Sequence, residues 1–209
     1  MLLLSGLGAG ALFGCDLRLR NFKYKLSVEI EVSGKRYLGH GVRQIYQNHV
    51  SAWPDQTSII NTYVSGEAFW IDVDHGPSLF LLLKDHRPGV NSVWNPIRYL
   101  FSEEGGAARS LGDGKIVHLK PEYLPGLLVF GNISDSSSAI LIHPENIKDV
   151  YGRDARIISS ELSITNSPLT RGIKDKIPWI DNFKPKMFIE GPVTYDPERY
   201  QFNYRDFVS

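Results

Sequence analysis

The sequence predicts an α+β, β-rich fold: mainly antiparallel sheet or sandwich with a few short helices. Three observations predict it. Residues 23–32 alternate strictly, with Tyr24, Leu26, Val28, Ile30 and Val32 on one face and Lys23, Lys25, Ser27, Glu29 and Glu31 on the other. A period of two is the signature of a strand with one buried and one wet side. Residues 66–73 and 78–84 are two strand-like runs around Asp74-His75-Gly76-Pro77, which reads as a hairpin. Only short segments punctuated by proline and glycine remain for helices.

The other elements follow in order. Ser33-Gly34-Lys35 supplies a turn, and residues 36–50 return antiparallel to the first strand. Gly39 and Gly41 fall inside that return strand, where glycine marks a bulge or a close backbone approach. Residues 51–65, with Trp53-Pro54-Asp55, read as a loop. Residues 79–83 are apolar without alternation, so burial on both faces is expected. Pro96 suits the start of a helical turn over 96–101, and the glycine-rich stretch 105–114 reads as an exposed loop. Strands are expected at 115–119, 127–131 and 156–165, with a short helix over 144–151 between Pro144 and Gly152. Ile173 and Ile177 stand at helical spacing before Pro178-Trp179. The aromatic, charged tail over 195–207 either packs across the surface or frays.

Composition narrows the class. The 209 residues suit one domain, taken here as 22–209, and 42% hydrophobic with 22% charged excludes a wholly disordered chain. Twenty-three basic residues balance 23 acidic ones, which speaks against a nucleic-acid partner needing a basic excess. One cysteine excludes an intrachain disulfide and a multi-cysteine metal site.

That cysteine stands behind a distinctive leader. Residues 1–14 carry no charge and include Gly8, Ala9, Gly10, Ala11 and Gly14. The run is shorter than the ~20 residues that cross a bilayer, and it matches the apolar region of a secretory signal. Leu12-Phe13-Gly14-Cys15 resembles the lipobox of bacterial lipoproteins. The resemblance implies a signal peptide over 1–14, lipidation at Cys15 and a tether over 15–21. Asp16 resembles the inner-membrane retention signal of enteric lipoproteins, which implies an anchor in the inner membrane with the domain facing the periplasm. Without a signal, Cys15 reads as a small core residue of a buried N-terminal element.

A second resemblance covers most of residues 22–180. Residues 24–32 with 41–45, Gly66-Glu67-Ala68 through Asp72, 79–83, 130–138 with Pro144, and 164–179 (ITNSPLTRGIKDKIPW) are similar, in this order, to an uncharacterised family of proteobacterial proteins. It implies a shared fold and no named chemistry.

Candidate chemistry is sparse. Asp72, Asp74 and His75 are the tightest group; on a strand the two aspartates share a face and could hold a hard cation or flank a substrate. The preferred reading is a turn in which an aspartate caps the backbone. Thr170-Arg171-Gly172 could grip an anion, although Arg171 paired with a nearby carboxylate, with Trp179 filling the core, is preferred. His40, His49, His86, His118 and His143 are scattered, and neither a G-x-S-x-G elbow, a phosphate loop nor HExxH occurs. No cofactor or metal is expected. The leading expectation is a lipid-anchored binding module with a protein partner in the cell envelope. A periplasmic hydrolytic enzyme using Asp72, Asp74 and His75, and a soluble cytoplasmic structural domain, are the alternatives.

Overall fold

The computed structural model describes residues 21–50, 59–85, 92–100, 116–182 and 204–209. Cys15, Asp16, the signal-like run, Trp53-Pro54-Asp55, the stretch 105–114 and most of the tail over 195–207 lie outside the described residues. The alternating strand sets the frame: β1 (Asn21–Val32) pairs antiparallel with β2 (Lys35–Val50), from Val32 opposite Lys35 to Asn21 opposite Tyr46. The connecting Ser33 and Gly34 both have positive φ, 51° and 77°. That is the two-residue turn whose twist matches the flanking strands.

Two antiparallel sheets follow. β11 (Arg156–Ile164) lies on the other side of β1, with β8 (Ile116–His118) beyond it; β3 (Ile59–Ser65) flanks β2, giving the order β3-β2-β1-β11-β8. The second sheet runs β10-β9-β5-β4, from β10 (Ala139–Ile142) and β9 (Leu127–Phe130) to β5 (Leu79–Leu81) and β4 (Phe69–Ile71). A ribbon of β6 (Lys84–Asp85) and β7 (Ser92–Val93) is separate. Helices are short: α1 (Ile97–Leu100), α2 (Ile147–Tyr151) and α3 (Ile173–Lys176). The β-rich α+β architecture expected from the sequence is the one observed.

Burial explains the patterns. Tyr24, Leu26, Val28 and Ile30 are fully buried against Phe69, Ile71, Leu79, Leu81, Leu127 and Val129. The far face of the second sheet buries Phe80, Leu82, Leu128 and Phe130 beneath Ile173, Ile177, Ile180 and Phe207. Residues 79–83 lack alternation because one apolar cluster lies on each side of their sheet. Each residue of that run therefore contributes transfer free energy whichever way it points.

Three expectations change. Residues 59–65 are a strand rather than the end of a loop, because Val64 and its neighbours pair with residues 44–50 of β2. β10 was not expected; it is a short edge strand with Ile140 53% exposed, too brief to impose an alternation. Of the tail, the described residues 204–209 pack into the second apolar cluster. Phe207 is buried, its carbonyl accepts from Ala68 N at 2.7 Å, and Val208 bridges to Glu67.

Gly39 and Gly41 mark a close approach, while the bulge lies elsewhere, between Glu29 and Ile30 in the β1–β11 pairing. A Cβ on Gly41 would stand 2.3 Å from Phe69 Cδ1, and one on Gly39 2.9 Å from the Trp70 carbonyl. Those glycines let β4 close onto β2. Gly41→Ala should destabilise the fold by about 1–3 kcal/mol through forced repacking, read as a lower urea midpoint with an unchanged slope.

Candidate functional site

Arg43 occupies an inward position of β2 opposite Tyr24, and its side chain is fully buried. Its fork donates to three carbonyls: Leu81 O at 2.7 Å, Leu82 O at 2.9 Å and Glu67 O at 3.3 Å. The guanidinium also sits 5.4 Å from the centre of the Phe69 ring. Burial pushes the Tyr24 phenol up and the guanidinium down, and each offsets part of the shift on the other. The charge is met by carbonyl dipoles and a ring.

Glu67 joins this junction to the next layer. Its buried carboxylate accepts from Ile173 N at 3.0 Å, at the start of α3, and lies 3.6 Å from Arg171. Thr170 completes the join: its hydroxyl accepts from Val42 N at 2.7 Å while its own N–H donates to Val42 O at 2.9 Å. Of the two readings of this segment, anion grip or ion pair, the structure shows the preferred one: Arg171 has a carboxylate beside it, its side chain 57% exposed. Trp179 donates to Ile133 O at 2.6 Å and stacks edge-on against Phe130.

The group Asp72, Asp74 and His75 is placed otherwise than a shared strand face requires. β4 ends at Ile71, so both aspartates lie in the connection to β5. Asp72 accepts from Lys176 and Ser78, each at 2.5 Å, and from Trp70 Nε1 at 3.1 Å. Partial burial raises its pKa, but those hydrogen bonds outweigh it and hold the carboxyl below its usual value. Asp74 pairs instead with Lys35, whose hydrogen bond and charge also lower its pKa.

His75, with φ of 59°, sits between two open clefts. One, of about 440 Å³, is lined by Asp74, Lys35, Tyr37 and Tyr151; the other, of about 530 Å³, by Lys176, Phe80 and Phe130. Asp72 lines neither of the two. Each carboxylate is thus neutralised by its own lysine, and the shared substrate position that acid–base hydrolysis requires is not formed by these three groups. Among the described residues no three histidine, cysteine, aspartate or glutamate side chains gather as a metal site.

Sequence reasoning passed over the open edge of β2. Val42 turns its N–H and C=O away from β1, toward Thr170. The period of two aims those of His40 and Leu38 the same way. β3 ends opposite Gln44, and no described strand covers residues 36–40 on that side. Leu38 is 67% exposed there. The signal was available only as an apolar residue at an outward position of a strand.

Arg43→Met should cost about 3 kcal/mol or more, because it leaves several buried carbonyls without donors. Arg43→Lys should recover little of that, since one ammonium cannot reproduce a planar fork; thermal unfolding of the three proteins checks both. Asp72 has a lowered folded-state pKa, so its stabilisation is present above the unfolded value and is lost as pH falls. The stability gap between wild type and Asp72→Asn should therefore be full at neutral pH and close as pH falls through about 4, measured by urea titrations across that range.

Set against models of protein families, curated proteins and solved structures, the chain matches none of them.

Proposed function

We propose that this chain is a lipid-anchored envelope protein, held at the inner membrane through Cys15 with its β-rich domain facing the periplasm, and that it works as a binding module. The observation that carries the reading is Leu12-Phe13-Gly14-Cys15 behind an uncharged run, followed at once by Asp16. The first described strand begins at Asn21, six residues after Cys15, a spacing that suits a short tether.

The binding surface this reading favours is the open edge of β2 at Leu38 and His40. An unpaired edge is a template on which an extended segment of another protein adds a strand. Natural edges are blunted by charge, proline or bulges, yet this one presents Leu38 between Tyr37 and Gly39. The hydrolytic reading has less behind it, because Asp72 and Asp74 are each neutralised by a different lysine.

Metabolic labelling with a clickable fatty acid tests the anchor. Wild type should take up label that Cys15→Ser does not; equal and negligible labelling of both would favour the cytoplasmic structural domain. In pull-downs from membranes, Leu38→Lys should lose a protein that wild type retains, and equal recovery by both would remove the β2 edge as the docking site.

A further inference from the structure

The end of the five-stranded sheet nearest the tether has a composition its far end lacks. Along the outward face of β1 the residues run Lys23, Lys25, Ser27, Glu29, Glu31. The two glutamates are matched: Arg156 lies 2.8 Å from Glu31, and Arg36 lies 3.7 Å from Glu29 and 3.9 Å from Glu31. Among the described residues neither Lys23 nor Lys25 is given an anionic partner. Beside them Tyr46 and Tyr63, on adjoining strands, stack with ring centres 5.2 Å apart and 13° between planes. They remain 36% and 42% exposed. Tyr46 lies directly opposite Asn21, the first residue of β1.

We infer that this end of the sheet, with Lys23, Lys25 and the Tyr46–Tyr63 pair, rests on the anionic phospholipid headgroups of the membrane that holds Cys15. The inference rests on the lipid-anchor reading above. Asn21 follows Cys15 by six residues, so even a fully extended tether lets it stand no more than about 20 Å away. Arg18 and Arg20 of that tether carry the same sign as the lysines. Tyrosine suits the headgroup layer because its ring prefers the apolar side and its hydroxyl the wet side. Attachment through the acyl chains converts a weak surface contact into an intramolecular one, so a modest attraction suffices to orient the domain. Seated this way, the open edge at Leu38 points away from the bilayer: Leu38 pairs with Glu29, eight residues along β1 from Asn21, or about 26 Å.

The test uses the acylated full chain reconstituted into vesicles of phosphatidylcholine with phosphatidylglycerol, plus lipid bearing a headgroup nitroxide. With Cys15 acylated, an introduced cysteine is the only free thiol, so Asn61→Cys and Leu38→Cys each take one fluorophore, near the Tyr63 end and at the far end. Asn61 probes should be strongly quenched and Leu38 probes little. The preference should weaken in pure phosphatidylcholine vesicles. Lys23→Gln with Lys25→Gln should lower the seated-to-free ratio by about fivefold for each lysine removed. Equal quenching at the two sites, or stronger quenching at Leu38, in protein shown by mass to be acylated overturns the orientation while leaving the anchor in place. Quenching at Asn61 that is indifferent to both lysines and to phosphatidylglycerol overturns the role of the anionic headgroups. Protein that carries no fatty acid overturns the anchor, and the orientation falls with it.

Discussion

The two sheets of this domain meet at one guanidinium. Arg43 belongs to β2 of the first sheet, yet its acceptors are the carbonyls of Leu81 and Leu82 in and just past β5, and that of Glu67 on the approach to β4. A buried charge is tolerated only where its donors are satisfied, and a planar fork meets several fixed carbonyls at once, which a point charge cannot do. Two segments, the end of β5 and the approach to β4, are thereby held against β2. Gly39 and Gly41 answer the same constraint from the backbone side, since β4 comes so near β2 that a Cβ would collide with Phe69 or Ile71. The junction is then carried outward: Glu67 holds the start of α3, and Thr170 occupies the β2 edge just where β3 leaves it.

That arrangement gives the molecule two unlike ends. Where β1 begins, lysines that pair with no carboxylate among the described residues and stacked tyrosines face outward. Where β2 begins, glutamates are matched by arginines and the strand edge stands open at Leu38. Thr170 separates the two regimes, covering Val42, while no described strand lies beside the residues before it. The function proposed above assigns one end to the bilayer and the other to a partner. The turn at residues 72–77 lies beside the first hairpin's turn, and its aspartates serve the structure by pairing with Lys35 and Lys176.

Particular residues show how far the sequence reaches. The alternation of residues 23–32 translates directly into β1, and the turn read over 33–35 is a hairpin turn one residue tighter, with Lys35 already in β2, because both depend on neighbours within a few positions. The unbroken apolar run at 79–83 correctly signals burial on both faces. Residues 59–65 were opaque, for their pairing partner lies across a connection and their own pattern is mixed. At the candidate site, Asp74 and His75 form the expected turn, but its aspartates pair with lysine side chains rather than capping the backbone, because Lys35 and Lys176 come from distant segments. The importance of Arg43 was not legible, although its inward position in β2 was.

The sequence by itself determined the β-rich class, the pairing of β1 with the strand that follows it and the two-sided burial of β5, all of which follow from local periodicity and local chemistry. Only the tertiary structure decided which carbonyls Arg43 serves, that Gly39 and Gly41 face another strand, that Asp72 and Asp74 take separate lysines, and where β2 is left uncovered. The physical reason is common to all four. Each depends on groups from segments distant in the chain, and on distances of a few ångströms that no spacing along the sequence encodes.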